Sequence, residues 1–177
     1  ANWTEGCGSW NSSDVYDNVL ENEPVFDPVK QYIGDWIMDY AGELQLQWGG
    51  CTPLVTNSWL NASPKGNVQE CHKHSHCYIS GVYYIHIPEG DGGEFVLDNP
   101  LEYDHNVGLT SQSLLSDARV NVQSGDMILF PSHMDHHTRV NKSEEMRYSL
   151  AFNVNVTELL PEYFRSESTV PWDGEQE

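Results

Sequence analysis

Histidines recur in this chain at spacings that suit a metal ion. Cys71-His72-Lys73-His74-Ser75-His76 carries three imidazoles within five positions, and His136 follows far downstream in Phe130-Pro131-Ser132-His133-Met134-Asp135-His136-His137. Imidazole is a borderline donor that suits iron, copper, zinc and nickel. Residues two apart on a strand point the same way, so His72 and His74 can reach one ion, and His136 from another strand can close the site on one face. Three protein ligands leave coordination positions open, which oxygen activation needs and a closed structural site does not offer. His74 and His76 have the same spacing, so His76 is an alternative to His72. His133 and His137 fall to supporting or solvent-facing places, and Asp135 should point away from His136. Cys71 and Cys77 lie on the opposite strand parity to the histidines, which argues against a mixed Cys/His zinc site.

A second chemical feature follows in Met146-Arg147-Tyr148-Ser149-Leu150-Ala151-Phe152-Asn153-Val154. One strand face is apolar or aromatic (Met146, Tyr148, Leu150, Phe152, Val154). The other carries Arg147, Ser149, Ala151 and Asn153, small and polar with a single charge. That face reads as the floor of a pocket, in which Arg147 can grip a carboxylate by a bidentate pair.

These residues need a β scaffold to bring them together. Asp27-Pro28 reads as an N-cap followed by proline at the first helical position. Val29, Ile33, Trp36, Ile37, Tyr40 and Leu44 then recur at helical spacing, which predicts a helix with these side chains on a core. Short strands are predicted over 44–48, 54–60, 78–87, 94–97, 120–122, 127–130, 137–140 and 146–154, with turns at Gly90-Asp91-Gly92-Gly93, Asp98-Asn99-Pro100, Ser124-Gly125-Asp126 and Asn141-Lys142. One helix and many short strands favour a sandwich or barrel over an alternating α/β sheet. At 177 residues the chain is expected to be one domain, 1–177. Residues 1–26 would form an arm that drapes over the domain or stays loose, 27–157 the helix and β core, and 158–177 a covering tail.

The charge is lopsided, with 27 acidic against 8 basic residues and a formal net charge of −19. Such a surface repels nucleic acid and anionic membranes, and weakly favours a neutral or cationic small molecule or peptide as substrate. It also makes any anion site depend on a few placed cations, Arg147 first among them. No apolar run approaches the roughly 18 residues of a membrane span. Four cysteines, Cys7, Cys51, Cys71 and Cys77, are too few for a disulfide-built scaffold and fit free thiols in a cytoplasm. The Asn-x-Ser/Thr sequons at Asn2, Asn11, Asn61, Asn141 and Asn155 fit the Asn- and Ser-rich composition better than glycosylation.

Over residues 55 to 155 the chain resembles the small 2-oxoglutarate/Fe(II)-dependent oxygenases of marine bacteria and phages. The resemblance rests on Ser58-Trp59-Leu60-Asn61, Gly66, His72-Lys73-His74, Ser80-Gly81-Val82-Tyr83-Tyr84, Gly93 to Pro100, Phe130-Pro131-Ser132, His136, and Arg147 through Asn153. It implies a double-stranded β-helix (a cupin-like jelly roll) with Fe(II) at its mouth, and a cytoplasmic enzyme (host cytoplasm if phage-encoded). It implies His72, His74 and His136 at the metal and Arg147 on the distal carboxylate of 2-oxoglutarate, with Tyr84, Asn153 and Ser149 as further cosubstrate contacts. The expected reaction couples oxidation of a small molecule or peptide by O2 to decarboxylation of 2-oxoglutarate to succinate. Most of the wider superfamily uses His-x-Asp/Glu plus His, so His-x-His leaves this site about one unit more positive. Two rivals follow: a three-histidine cupin-type dioxygenase that needs no 2-oxoglutarate, and a metal-binding jelly roll without turnover. Jelly-roll edges often pair, so a homodimer is also an expectation.

Overall fold

Strict alternation along the strands decides where each side chain goes. The computed structural model describes residues 10–13, 18–46, 52–90, 92–100 and 117–157. Among the described residues, eight strands form two antiparallel sheets. The first holds β1 (Trp10–Asn11), β2 (Thr52–Ser63), β8 (Arg147–Thr157), β3 (Ile79–His86) and β6 (Met127–Pro131) in the order β1-β2-β8-β3-β6. The second holds β5 (Ala118–Val120), β4 (Phe95–Leu97) and β7 (His136–Thr138) in the order β5-β4-β7. The architecture is the expected jelly roll.

Residues 67–74 run alongside β7 as an irregular extension of the smaller sheet. Backbone hydrogen bonds join Asn141 to Asn67, Thr138 to Gln69, His72 to His136 in both directions, and His74 to Ser132. That pairing is what carries the His-x-His segment across to the strand of His136.

Helix α2 (Asp27–Glu43) covers the outer face of the larger sheet. Ile33 and Ile37 pack with Ile79, Leu150, Phe152 and Val154, all nearly free of solvent. Each such side chain stabilises the fold by about 1.5–3 kcal/mol when fully buried. On β8, Leu150, Phe152 and Val154 therefore point to the helix, and the intervening Ser149, Ala151 and Asn153 point to the interior between the sheets. A second cluster of Tyr84, Phe95, Val122 and Phe130 fills part of that interior.

Several expectations need correction. Asp27 has helical angles and is the first residue of α2, and Phe26 takes the N-cap position without a side-chain cap. A 3-10 turn over Pro24–Phe26 leads into the helix, and Asp27 instead lies 3.4 Å from Lys30. Trp36 is 48% exposed and Leu44 is 41% exposed, because the stripe that touches the sheet is Ile33, Ile37 and Ala41, with Val29 and Tyr40 at its margin. The predicted strand at 44–48 is not formed at its start: Leu44 and Gln45 close the helix, Gln45 with a φ of 53°, and residues 47–51 lie outside the described residues. The strand expected at 120–122 sits at Ala118–Val120, which frees Val122 for the interior cluster.

The first 26 residues are described over 10–13 and 18–26. Trp10 and Asn11 pair with Ala62 and Asn61, and Val19 and Leu20 of the short helix α1 (Val19–Asn22) are buried in the core. Cys7, Cys51, Asn2 and the expected tail at 158–177 lie outside the described residues.

Candidate active site

His72 and His136 face each other as a hydrogen-bonded antiparallel pair, with His72 N to His136 O at 3.0 Å and His136 N to His72 O at 2.8 Å. Their rings are 4.3 Å apart between centroids, and His74 joins them at 5.0 and 5.2 Å. The three donor nitrogens lie within 4.8 Å of one another. His76 is not among them: it adopts a φ of 64°, which breaks the alternation after His74. His133 is exposed.

The backbone sets the imidazole tautomers. His72 Nδ1 lies 2.8 Å from Glu70 O, and His136 Nδ1 lies 3.0 Å from Met134 O. A carbonyl only accepts, so each Nδ1 carries the proton and each Nε2 lone pair is left for a metal. Burial, with the His72 and His136 rings beside it, pushes the His74 imidazole down to about 4. Burial likewise lowers His136. His74 and His136 are therefore biased toward the neutral form, the one that ligates.

The histidines open into a cavity of about 370 Å³ between the sheets. Its floor is β8, with Arg147, Ser149, Ala151 and Asn153 lining it as the alternation predicted. On either side stand β2, through Asn57, Trp59, Asn61 and Ser63, and β3, through Ser80, Val82 and Tyr84. Trp59 sits 5.6 Å from the His74 ring, so it is a wall of the site. Tyr78 is mostly exposed and Tyr83 packs toward α2, so neither is. No carboxylate lines this cavity among the described residues.

Arg147 is 3% exposed and has no acidic partner among the described residues. Its guanidinium donates to Gly92 O and to Thr138 Oγ1, each at 3.0 Å. Burial lowers its pKa, yet an arginine stays charged in proteins. Beside it the Tyr84 hydroxyl is buried with no hydrogen-bond partner, its pKa raised by burial. A buried guanidinium with no carboxylate partner among the described residues and an unsatisfied hydroxyl beside it fit an anion. Further along the floor, Ser80 Oγ lies 2.8 Å from Asn153 Oδ1 and 3.0 Å from Ser132 Oγ. This buried trio fixes the Asn153 amide by holding its carbonyl oxygen.

Thr138 was not singled out from the sequence, and the Gly90-Asp91-Gly92-Gly93 segment was expected as a turn without its link to Arg147. Thr138 had a usable signal, since it lies two residues beyond His136 and so shares its face. Gly93 has a φ of 93°, and a side chain there would collide with Arg139 O and the Arg147 guanidinium. On the reverse of the His72–His136 pair, Cys71 Sγ lies 2.9 Å from Asp98 Oδ2, and that hydrogen bond pushes the thiol up to about 11.

A sequence profile of the family described as "Putative 2OG-Fe(II) oxygenase" matches residues 57–153, more than half of the chain. This chain belongs to that 2OG-Fe(II) oxygenase family. The matched span contains all seven residues expected at the metal or cosubstrate. The cofactors of this oxygenase are Fe(II) and 2-oxoglutarate, and its class is the 2-oxoglutarate-dependent non-haem Fe(II) dioxygenases.

Some solved structures are similar to this chain in fold, at low sequence identity. HygX from Streptomyces hygroscopicus, with nickel, 2-oxoglutarate and hygromycin B bound, superposes with a TM-score of 0.56 at 16% identity, over 84% of this chain and 70% of that one. A prolyl hydroxylase from Trichoplax adhaerens, in complex with a peptide fragment of the hypoxia inducible factor oxygen degradation domain, gives 0.55 at 15% identity over 93% and 68%. A 2OG-Fe(II) oxygenase from Burkholderia pseudomallei gives 0.46 at 17% identity over 60% of this chain, which spans 46% of that protein. A search of curated proteins finds no match by sequence.

Proposed function

We propose that this oxygenase is a hydroxylase of a neutral or cationic small molecule or peptide, with His72, His74 and His136 holding Fe(II) and Arg147 holding the distal carboxylate of 2-oxoglutarate. The observation that carries the reading is the buried Arg147 with no acidic partner among the described residues, in the same cavity as three clustered imidazoles, two of which have Nδ1 held by backbone carbonyls. Three neutral nitrogen donors fit a divalent iron and leave open positions. The orphaned Tyr84 hydroxyl fits a second contact to the same carboxylate.

When bound, Fe(II) and 2-oxoglutarate supply an oxidant that converts C–H to C–OH, one oxygen atom of O2 entering the product and the other the succinate formed as CO2 leaves. The chain's own residues prepare that chemistry. Glu70 O and Met134 O fix two ligand tautomers. Gly92 O and Thr138 Oγ1 aim the guanidinium and take two of its five N–H groups, which leaves three to donate to a carboxylate. Ser80 and Ser132 orient Asn153, whose amide N–H groups can then reach cosubstrate, while Ser149 lies between Asn153 and Arg147 on the floor.

The substrate would enter on the β2 side, where Trp59 offers an aromatic surface and Asn57 and Asn61 offer neutral amides. That wall carries no fixed charge, which supports a polar, uncharged moiety at the reacting end.

The test is an anaerobic titration of Fe(II)-loaded protein with 2-oxoglutarate, followed by the weak visible charge-transfer band of a chelated 2-oxo acid. The band should appear, and Arg147→Ala should weaken 2-oxoglutarate binding about 100-fold, the loss of roughly 3 kcal/mol from a charge-assisted pair, while iron binding is kept. Firmly bound iron with no band would instead favour the three-histidine dioxygenase, and metal binding with no oxygen chemistry the non-catalytic jelly roll.

A further inference from the structure

The ladder that presents His72 and His136 to the cavity has a reverse face, and it carries a second cluster of ligand-type side chains. Neighbouring residues on paired strands point to opposite sides. The partners flanking the His72–His136 pair, Cys71 and His137, therefore meet behind it. Asp98 follows Leu97, which pairs with His136, and Asp98 N donates to Asp135 O at 2.9 Å, so Asp98 arrives on the same reverse face. Cys71 Sγ lies 2.9 Å from Asp98 Oδ2, and His137 Nδ1 lies 3.1 Å from Asp98 Oδ1. All three donors fall within 4.8 Å of one another.

His137 Nδ1 is a buried atom, yet it has no aligned hydrogen-bond partner despite that short distance. It therefore stands beside Asp98 with its hydrogen-bonding capacity unused.

We infer that Cys71, Asp98 and His137 form a second metal site, suited to a borderline divalent cation such as Zn2+, back to back with the catalytic histidines. The donor set selects the ion. Sulfur and nitrogen disfavour Mg2+ and Ca2+, which take oxygen ligands, and thiolate with imidazole and carboxylate is a zinc-type set. Around a tetrahedral Zn2+ such donors stand about 3.4–3.6 Å apart. The observed 2.9 and 3.1 Å need only small side-chain rotations to open to that spacing. The cation would take the place of the thiol proton that Asp98 now accepts, releasing it to solvent. Cys71 is exposed, so the ion has a path in and water can supply a fourth ligand. An ion there joins the 67–74 segment, the end of β4 and β7, the three pieces that set the spacing of two catalytic ligands.

Cobalt(II) separates the two sites by spectrum. The three-histidine site contains no sulfur, so a near-ultraviolet thiolate-to-Co2+ band can come only from a cysteine site. Metal-free, reduced full-length protein titrated with Co2+ should bind two equivalents, one of them with that band, and added Zn2+ should erase it. Cys71→Ser should abolish the band, Cys77→Ser should leave it, and His74→Ala should remove the other equivalent while the band remains. Asp98→Asn keeps the thiol and should weaken the band-forming equivalent at least tenfold, with far-ultraviolet circular dichroism confirming a folded protein. Saturation with Co2+ without the band, or a band that survives Cys71→Ser, overturns the inference. Either result leaves the iron and 2-oxoglutarate titration unaffected, so the two readings fail separately.

Discussion

Removing the Tyr84 hydroxyl should act in opposite directions on the free and the liganded enzyme. In the free protein it is a buried polar group without a partner, and such groups cost about 1–3 kcal/mol. Tyr84→Phe is therefore expected to leave the unliganded protein as stable as before or more so by denaturant melting. The same change should weaken 2-oxoglutarate about tenfold, the loss of one hydrogen bond to a charged group at roughly 1.5 kcal/mol. The histidines give a second expectation. His74 takes its proton near 4 in the folded chain against 6.5 in the unfolded one, so the unfolded state binds more protons between those values. Stability of the metal-free protein is thus complete above pH 6.5 and declines as the pH falls toward 4, with His136 acting in the same direction. Denaturation midpoints at pH 7.5 and 5 check this, and His74→Gln should flatten the difference.

At the scale of elements, β8 is the hinge between core and chemistry. Its helix-facing Phe152 lies across Gly81 of β3, the cross-strand partner, and a methyl at residue 81 would overlap the ring. Gly81→Ala should cost about 1–3 kcal/mol by overpacking, read as a lower thermal midpoint, and should disturb Asn153 next in register to Ser80. The alternation of β8 and the His-x-His spacing were legible because both depend on residues two apart in one extended segment. What could not be read was cross-strand register. The pairing of residues 67–74 with β7, the hold of Thr138 on Arg147, and the meeting of Cys71 with Asp98 and His137 all join positions distant in sequence. The helix misreading has a similar cause. Trp36 fits a 3.6-residue period as well as Ala41 does, and only the position of the sheet decides which stripe is covered. The Asn141 sequon shows the converse: its side chain is fully buried and bonds to Ser63 O and Glu145 O, so its place in the turn before Arg147 accounts for it.

Across the whole molecule, acidic charge and the anion site are opposed. A formal charge of −19 surrounds a cavity whose lining contains a buried arginine and no acid among the described residues. A dianionic cosubstrate must cross that negative field before Arg147 can reward it. Salt shortens the reach of the field from about 30 Å at 0.01 M to about 8 Å at 0.15 M. The KM for 2-oxoglutarate should accordingly fall as NaCl rises over that range in initial-rate assays, and a rise would show that the local field of Arg147 dominates. Among the described residues no helix is long and apolar enough to cross a membrane. The reciprocal rung between His72 and His136 carries one more implication, a kinetic one. Both residues offer a backbone amide to the rung and, in the proposed centre, an imidazole to the ion, so a ligand there cannot swing away far without loosening the rung. Departure of the metal and opening of those two amides to deuterium then become one event seen by two clocks, and conditions that slow one should slow the other in proportion.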